Sequence, residues 1–279
     1  MRKITEEAIR SFSNNMLFEE KAEATVRKYT HDVGELRKWL GECELSKKTV
    51  LSYKAYLTEH YAPASVNAAL SSLNSFFDYM EWYELRVKSL KIQKQIFARE
   101  DKELTVAEYD RLLRAAKEKK NERLFLLMQA ICSTGIRVSE LRYITVEAVS
   151  RGTARIRSKG KIREILLPKQ LCIRLRCYAK EQKIKSGAVF VTKRGNPLDR
   201  SNIWNDMKKL CRAAGVSETK VFPHNLRHLF ARTYYNLEKD IVRLSDILGH
   251  SNVNTTRIYT MQTCGIYRKQ LQRLGLLRC

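Results

Sequence analysis

The residues best suited to chemistry lie in five short motifs between positions 134 and 259. In chain order they are Arg137 in TGIR, Lys159 in SKGK, His224 and Arg227 in PHNLRH, His250 in LGH, and Tyr259. An arginine presents a planar fork of donors that matches two phosphate oxygens, so two arginines can clamp the charge of a pentacovalent phosphorane. A tyrosine hydroxyl can attack phosphorus and hold it covalently, which divides one exchange into two reversible transfers. The set predicts phosphodiester chemistry without a metal ion and indicates that DNA is cut and rejoined.

The PHNLRH motif places its basic side chains within about one helical turn. His224 and Arg227 are three residues apart and share one face of a helix, whose start is fixed by Pro223. With His228 in the same turn, this face is costly to bury unless a strong anion binds there. The alternative is a solvated basic face. Arg137 is predicted to open another helix after a glycine turn. A phosphate bound there would be stabilised by the helix dipole and by the guanidinium. The alternative is an exposed arginine that lies over apolar neighbours.

A basic hairpin is predicted around Lys159, because residues 153–157 and 162–167 alternate polar with apolar side chains. Four neighbouring cations are candidate DNA contacts: Arg155, Arg157, Lys161 and Arg163. Cationic neighbours lower the pKa of a lysine, as a general acid requires, and Lys161 is the alternative to Lys159 in that role. The same charges also fit an edge hairpin that is protected against strand pairing.

Tyr259 must be separated from twelve other tyrosines, most of which are expected to pack. It stands nine residues after His250, whose preceding glycine is expected to end a helix. Tyr267 is the nearest alternative nucleophile. Tyr234 and Tyr235 fit the packing face of a helix, so the context favours Tyr259.

Positive charge is concentrated in the C-terminal two-thirds of the 279 residues. The chain has 53 Lys plus Arg against 30 Asp plus Glu, a net charge of +23. Residues 1–101 carry 16 basic and 15 acidic side chains, and residues 102–279 carry 37 and 15. This distribution favours a phosphate backbone as the partner, whereas a merely soluble surface would intersperse both signs.

Cysteine usage and hydropathy exclude other classes of protein. Seven cysteines without a CxxC pair indicate free thiols rather than a disulfide framework or a zinc site. The N-terminus lacks the apolar core of a signal peptide, and no apolar run is long enough to span a bilayer. We expect a cytoplasmic, nucleoid-associated protein with no metal and no membrane partner.

The patterns predict a mostly helical chain with one small β-hairpin. Residues 1–90 predict four helices, near 4–17, 19–40, 46–57 and 63–80, and Lys47 and Lys48 are candidate DNA contacts there. Residues 91–102 are charged and weakly periodic and form a linker. Residues 103–279 form the second domain, which begins with a capping box at Thr105 and Glu108. Its other predicted elements are a buried helix over 121–132, the hairpin, a short strand at 189–192, helices near 200–214, 224–237 and 240–248, and an apolar tail helix after Gly265.

The order and local context of these motifs closely resemble the tyrosine recombinase, or phage integrase, family. Arg137 lies in TGIRVSEL, Lys159 in SKGK, and His224 and Arg227 in HNLRH, ahead of LGH and Tyr259. The resemblance covers the whole chain. It implies a helical SAM-like core-binding domain, a linker and a mixed α/β catalytic domain of Xer-like length, without an arm-binding domain. Asn225 stands where many members have Asp, and we expect it to tune activity rather than abolish it.

The resemblance also implies residue roles. Tyr259 attacks the scissile phosphate, giving a 3′-phosphotyrosyl link and a free 5′-hydroxyl. Arg137 and Arg227 clamp the non-bridging oxygens, and Lys159 protonates the leaving oxygen. The remaining roles are His224 as general acid–base, His250 as a donor to the phosphate, and Glu140 as a brace. No metal or nucleotide cofactor is implied, because the phosphotyrosine conserves the bond energy.

The implied partners are double-stranded DNA, a homotetramer on synapsed sites and an accessory DNA-bending or directionality protein. The implied reaction is integration and excision of a mobile element, or DNA inversion, and resolution of chromosome dimers also stays open. Two alternatives stay open. A type IB topoisomerase shares the chemistry but acts as a monomer, and a catalytically silent DNA-binding regulator need not retain Tyr259, Lys159 or both arginines.

Overall fold

The chain divides into two compact units, Met1–Lys94 and Gln95–Cys279, each with its own hydrophobic core. The computed structural model describes residues 2–92, 100–158, 161–192, 194–250, 252–260 and 272–274. Within these ranges no helix is long and apolar enough to cross a membrane. The described part of the chain is mostly helical with one two-stranded sheet, which confirms the predicted fold class.

The first unit contains four helices whose starts follow from the local sequence. They are α1 (Glu6–Phe18), α2 (Glu23–Leu40), α3 (Lys47–His60) and α4 (Pro63–Tyr79), followed by a 3-10 helix at Tyr83–Leu85. Ser46 caps α3 with a reciprocal capping box, and Pro63 occupies the first turn of α4, where a missing N–H costs nothing. Apolar side chains from all four helices fill the core, so the helices predicted for residues 1–90 are confirmed.

The second unit holds eight α-helices, four 3-10 helices and a hairpin among its described residues. In chain order these are a 3-10 helix at Glu100–Lys102, α5 (Val106–Glu118), α6 (Glu122–Thr134), a 3-10 helix at Val138–Tyr143, α7 (Val146–Arg151), β1 (Thr153–Ser158), β2 (Lys161–Leu166), α8 (Lys169–Glu181), α9 (Arg200–Ala214), a 3-10 helix at Glu218–Lys220, α10 (Pro223–Glu238), α11 (Ile241–Leu248) and α12 (Val253–Thr256), which runs into a last 3-10 helix at Arg257–Tyr259. The predicted tail helix lies outside the described residues except at 272–274.

Helix α6 is the buried centre of this unit, as its nearly continuous apolar sequence predicts. Side chains on all its faces are buried, and α5, α8, α9 and α10 pack around it. The helix ends at Gly135, whose φ of +64° is left-handed and favours glycine. The buried helix α6 therefore fixes the position of Gly135 and of the segment after it, which carries Arg137.

The hairpin pairs β1 with β2 in antiparallel register, from Thr153 opposite Leu166 to Ser158 opposite Lys161. Ala154 and Ile156 face the core, while Arg155 and Arg157 are exposed. Partners in an antiparallel pair share a face, so Arg163, opposite Ile156, also turns inward. The hairpin prediction is confirmed, although Lys159 and Gly160 lie outside the described residues.

Two parts of the predicted architecture differ from the structure. Residues 189–192 form no strand, because Val191 makes only an isolated bridge to Pro197 and finds no strand to pair with. Helices α7 and α8 were not predicted. The buried residues of α8 recur at helical spacing in the sequence (Leu171, Cys172, Leu175, Tyr178 and Ala179), but frequent basic residues between them obscured the pattern.

Gly135 provides a test of how tightly the second unit is packed. An added Cβ would lie 2.5 Å from Cδ1 of Phe230 and 3.0 Å from Cδ2 of Leu248. We expect Gly135→Ala to lower the free energy of unfolding by about 2–4 kcal/mol, from left-handed strain plus overpacking. Chemical denaturation of the full chain measures the loss.

Gly152→Ala is the matched control. Gly152 has a φ of +78° but nothing within 4 Å of an added Cβ, so only the backbone strain of about 1 kcal/mol applies. Equal losses in the two variants would contradict the packing argument.

Candidate active site

Arg227 lies at the centre of the candidate site and is almost completely buried, with 2% of its surface exposed. Its guanidinium donates to the carbonyl of Gly135, to the carbonyl of Leu248 at 2.8 Å, and to Nε2 of His250 at 3.1 Å. These carbonyls belong to the C-terminal ends of α6 and α11, where helix dipoles favour a cation. Burial and the charge of Arg137 lower the pKa of Arg227 to about 10, with Tyr259 opposing the shift. The group stays protonated at neutral pH.

The Arg137 side chain, which follows the end of α6, extends toward the end of α11 beside Arg227. Its Nη1 lies 3.0 Å from Oε1 of Glu140, and its Nη2 donates to the carbonyl of Gly249 at 3.4 Å. The side chain is 39% exposed, in contrast to Arg227. Arg137 therefore presents an accessible guanidinium beside a buried one.

Glu140 is the buried carboxylate that holds this arrangement together. It accepts hydrogen bonds from the Arg137 backbone N–H at 3.0 Å and from Nη2 of Arg163 at 2.6 Å, besides the Arg137 side chain. Burial alone would raise the pKa of Glu140. The Arg137 backbone N–H and the charges of Arg163 and Arg137 overcome that effect and hold the pKa below its usual range. Glu140 is therefore ionised at neutral pH.

Arg163 lies elsewhere than predicted. We expected it to contact the DNA backbone, but its guanidinium is turned inward between Glu140 and the carbonyl of Ile247, to which Nη1 donates at 2.9 Å. The hairpin register is the physical reason, because it gives Arg163 the inward face. One side chain thus links β2, the Arg137 segment and the end of α11.

His250 follows the left-handed Gly249 that ends α11. Its Nδ1 lies 2.9 Å from Oγ1 of Thr256, and its ring stacks against Tyr259 with centroids 6.1 Å apart. Burial lowers the pKa of His250 to about 4, with further contributions from neighbouring arginines. The imidazole is neutral at physiological pH.

Tyr259 is buried, with 3% of its surface exposed. Its ring packs edge-on against His228 at 4.8 Å, and His228 packs in turn against His224 at 4.5 Å. Burial lowers the pKa of His224, with Arg227 and Arg137 adding to the effect. Burial and His224 lower the pKa of His228 to about 4. The tyrosine therefore lies among neutral imidazoles.

The structure brings six predicted residues into one site: Arg137, Glu140, His224, Arg227, His250 and Tyr259. The side chains of Lys159 and Lys161 lie outside what the structure describes. Arg155 is exposed and pairs with Glu164 at 3.1 Å, and Arg157 is exposed. In the first unit, Lys47 donates to the carbonyl of Arg86, and Lys48 is exposed.

Sequence reasoning assigned no place in the site to His228 or Thr256. His228 was recognisable in principle, because it lies four residues after His224 and shares its helix face. Thr256 carried no comparable signal, since a threonine on a short helix has no distinctive spacing. Thr256 is brought to His250 by tertiary packing.

Two guanidinium groups, of Arg137 and Arg163, pair with the single carboxylate of Glu140, and Arg227 lies close enough to feel the charge of Arg137. The excess positive charge suits the site to bind an anion. Within the described ranges, no group of three or more His, Cys, Asp or Glu side chains could hold a metal ion. A phosphate would pair with the arginines and offset the unfavourable proximity of their charges.

Replacing Glu140 tests the buried carboxylate. We expect Glu140→Gln to lower the free energy of unfolding by about 3 kcal/mol at pH 7, because it removes the one negative charge between two guanidinium groups. The lowered pKa means that this stabilisation is complete above the unfolded pKa of about 4.3 and is lost as the pH falls through the folded value. Urea denaturation from pH 7 to pH 3 should show the difference between variant and wild type shrinking.

Glu164→Gln is the control, because Glu164 is exposed and pairs with exposed Arg155. It should cost less than about 1 kcal/mol. A pH-independent difference for Glu140→Gln would contradict the assigned ionisation.

Asn225, which stands where many family members have Asp, donates hydrogen bonds that an ionised Asp could not make. Its buried Nδ2 donates to the carbonyls of Lys102 and Lys220, each at 2.8 Å. An ionised Asp donates to neither. A carboxylate at a helix start gains only about 0.3–1 kcal/mol from the dipole. We therefore expect Asn225→Asp to lower the free energy of unfolding by about 1–3 kcal/mol in chemical denaturation.

Asn236→Asp, at an exposed position on the same helix, should change stability far less. An Asn225→Asp variant as stable as the wild type would contradict the importance of the two donated hydrogen bonds.

Two family models together match most of the chain. The phage integrase family matches residues 102–264, and the phage integrase N-terminal SAM-like domain matches residues 9–84. Tyrosine recombinase XerA of Thermococcus kodakarensis is 31% identical over 97% of this chain and 96% of the relative. Tyrosine recombinase XerD of Vibrio cholerae is 28% identical over 90% of each.

Solved structures show the same fold. A lambda integrase dimer bound to a COC′ core site matches with a TM-score of 0.74 at 17% identity, covering 91% of this chain and 94% of that one. A XerH recombinase bound to its difH substrate matches with a TM-score of 0.70 at 18% identity, covering 93% and 87%. The chain belongs to the phage integrase family of tyrosine recombinases, as its motifs indicated.

Proposed function

We propose that this protein is a site-specific DNA recombinase that cuts and rejoins DNA through a covalent bond between Tyr259 and a 3′-phosphate. The observation that carries the proposal is the convergence of Arg137, Arg227, His224 and His250 around Tyr259 within one compact unit. Family membership supports the reaction class, and the contacts among these side chains support the roles that we propose for them.

Cleavage forms one bond to phosphorus as another breaks. The Tyr259 oxygen attacks the scissile phosphate, the bond to the 5′-oxygen breaks, and Lys159 protonates that leaving oxygen. Arg137 and Arg227 stabilise the charge on the non-bridging oxygens, an effect of about 3–4 kcal/mol per donor in comparable oxyanion sites. Rejoining is the reverse reaction with the 5′-hydroxyl of another strand as the nucleophile.

The lowered pKa of His224 suits it to accept the phenolic proton. Burial and three arginines lower the pKa of His224 and keep its imidazole neutral at physiological pH, and only a neutral imidazole can act as a base. The phosphate counters the arginine charges when it binds, so His224 becomes a better base once the substrate is in place.

The proposal extends to partners and setting. Double-stranded DNA is the substrate, since the second part of the chain carries 37 basic and 15 acidic residues. A lambda integrase tetramer bound to a Holliday junction is among the solved structures with this fold, and we propose a homotetramer on paired sites here as well. The reaction is integration or excision of a mobile element or DNA inversion, at the nucleoid and with an accessory DNA-bending or directionality protein.

Tyr259→Phe tests the nucleophile. A suicide DNA substrate, nicked near the cleavage site and built from sequence flanking the gene, traps the covalent intermediate on a denaturing gel. We expect an adduct with wild-type protein and none with Tyr259→Phe, because phenylalanine lacks the attacking oxygen.

Tyr267→Phe is the matched control and should leave the adduct intact. An adduct that persists in Tyr259→Phe would move the nucleophile elsewhere. Tight binding to a verified site without any adduct would favour a regulator, and relaxation of supercoiled DNA lacking that site would favour a type IB topoisomerase.

A further inference from the structure

Thr256 holds His250 from the side opposite to Arg227. Its Oγ1 lies 2.9 Å from Nδ1 of His250, while Nε2 of the same ring lies 3.1 Å from Nη2 of Arg227. The threonine side chain is completely buried. Both ring nitrogens are thus engaged, and the orientation of the imidazole is fixed.

The direction of these hydrogen bonds follows from what each group can do. A guanidinium only donates, so Nε2 of His250 accepts from Arg227. In a neutral imidazole the other nitrogen then carries the proton, and Nδ1–H donates to the Thr256 hydroxyl. A hydroxyl both donates and accepts, so Thr256 can hold the ring in either tautomer.

We propose that Thr256 is a positioning residue for His250, one that keeps Nε2 directed toward the phosphate site both before and after DNA binds. This inference rests on the proposed function. In the free site Nε2 accepts from Arg227. With phosphate bound, Nε2–H donates to a non-bridging oxygen, and the Thr256 hydroxyl reverses to donate to Nδ1. The imidazole stays neutral in this change, because its Nδ1 proton leaves to solvent and a solvent proton binds Nε2.

The placement of Thr256 links this function to the nucleophile. Thr256 ends α12, and Tyr259 ends the 3-10 helix that follows directly. The His250 ring is therefore held by Thr256 and stacked by Tyr259, two residues of one short helical segment. The segment that carries the attacking oxygen also orients a ligand of the phosphate.

Thr256→Val removes the hydroxyl at nearly constant volume, and Thr256→Ser retains it. We expect Thr256→Val to slow single-turnover adduct formation on the suicide substrate by roughly 10- to 100-fold, as loss of an orienting partner does elsewhere. Affinity for the DNA site, measured by band shift, should not change. Thr256→Ser should restore most of the rate, and Thr255→Val, at an exposed neighbour, should match the wild type.

A double-mutant cycle isolates the route through His250. In a His250→Ala background, Thr256→Val should slow cleavage no further. A wild-type rate in Thr256→Val, a Thr256→Ser variant as slow as the valine, or an additive loss in the cycle would each overturn the proposal.

Imidazole nitrogen chemical shifts in the unmutated, DNA-free protein give a readout that does not depend on how the variants fold. The signal of His250, assigned by its loss in His250→Ala, should report a proton on Nδ1. A proton on Nε2 would overturn the proposal. If wild-type protein forms no adduct on a site it binds, the proposed function fails, and the chemical shifts still report whether Nδ1–H is available to donate to Thr256.

Discussion

The second unit depends on keeping a guanidinium buried at the point where two helices end. Arg227 caps the last carbonyls of α6 and α11, so its charge stabilises both helix ends while remaining available to the site. Such a cation is costly to bury, and here its donors have acceptors on several sides. Glu140 performs the complementary task for Arg137 and Arg163. Together these contacts hold like charges close together before any phosphate is present, which is the preorganisation that phosphoryl transfer needs.

The positive charge of these arginines also explains why the nearby histidines are neutral. Arginine charges and burial push the pKa values of His224, His228 and His250 down, so these rings add no further positive charge. Binding of a phosphate changes the balance, since an anion favours the protonated form of each histidine. The site therefore responds electrostatically to its substrate.

Much of this could be predicted from the sequence, because each motif carries a local signal. Pro223 at the start of α10, glycine after α6 and α11, and the capping box of Thr105 and Glu108 mark helix ends directly. The motif order indicated the family. Contacts between distant segments were harder to predict. The inward face of Arg163 could have been predicted by pairing it with Ile156 across the hairpin. Its partner Glu140 could not, because Glu140 belongs to another element. Thr256 could not be found in this way, because only packing brings it to His250.

The inward position of Arg163 also constrains which insertions and deletions this gene can tolerate. Side chains along β2 alternate between faces. Gaining or losing a single residue between Lys161 and Arg163 would therefore turn the Arg163 side chain to the outward face. The guanidinium would then face solvent and Glu140 would lose its partner. Among descendants of this sequence, single-residue gaps should therefore be absent from the strand segment between Lys161 and Arg163.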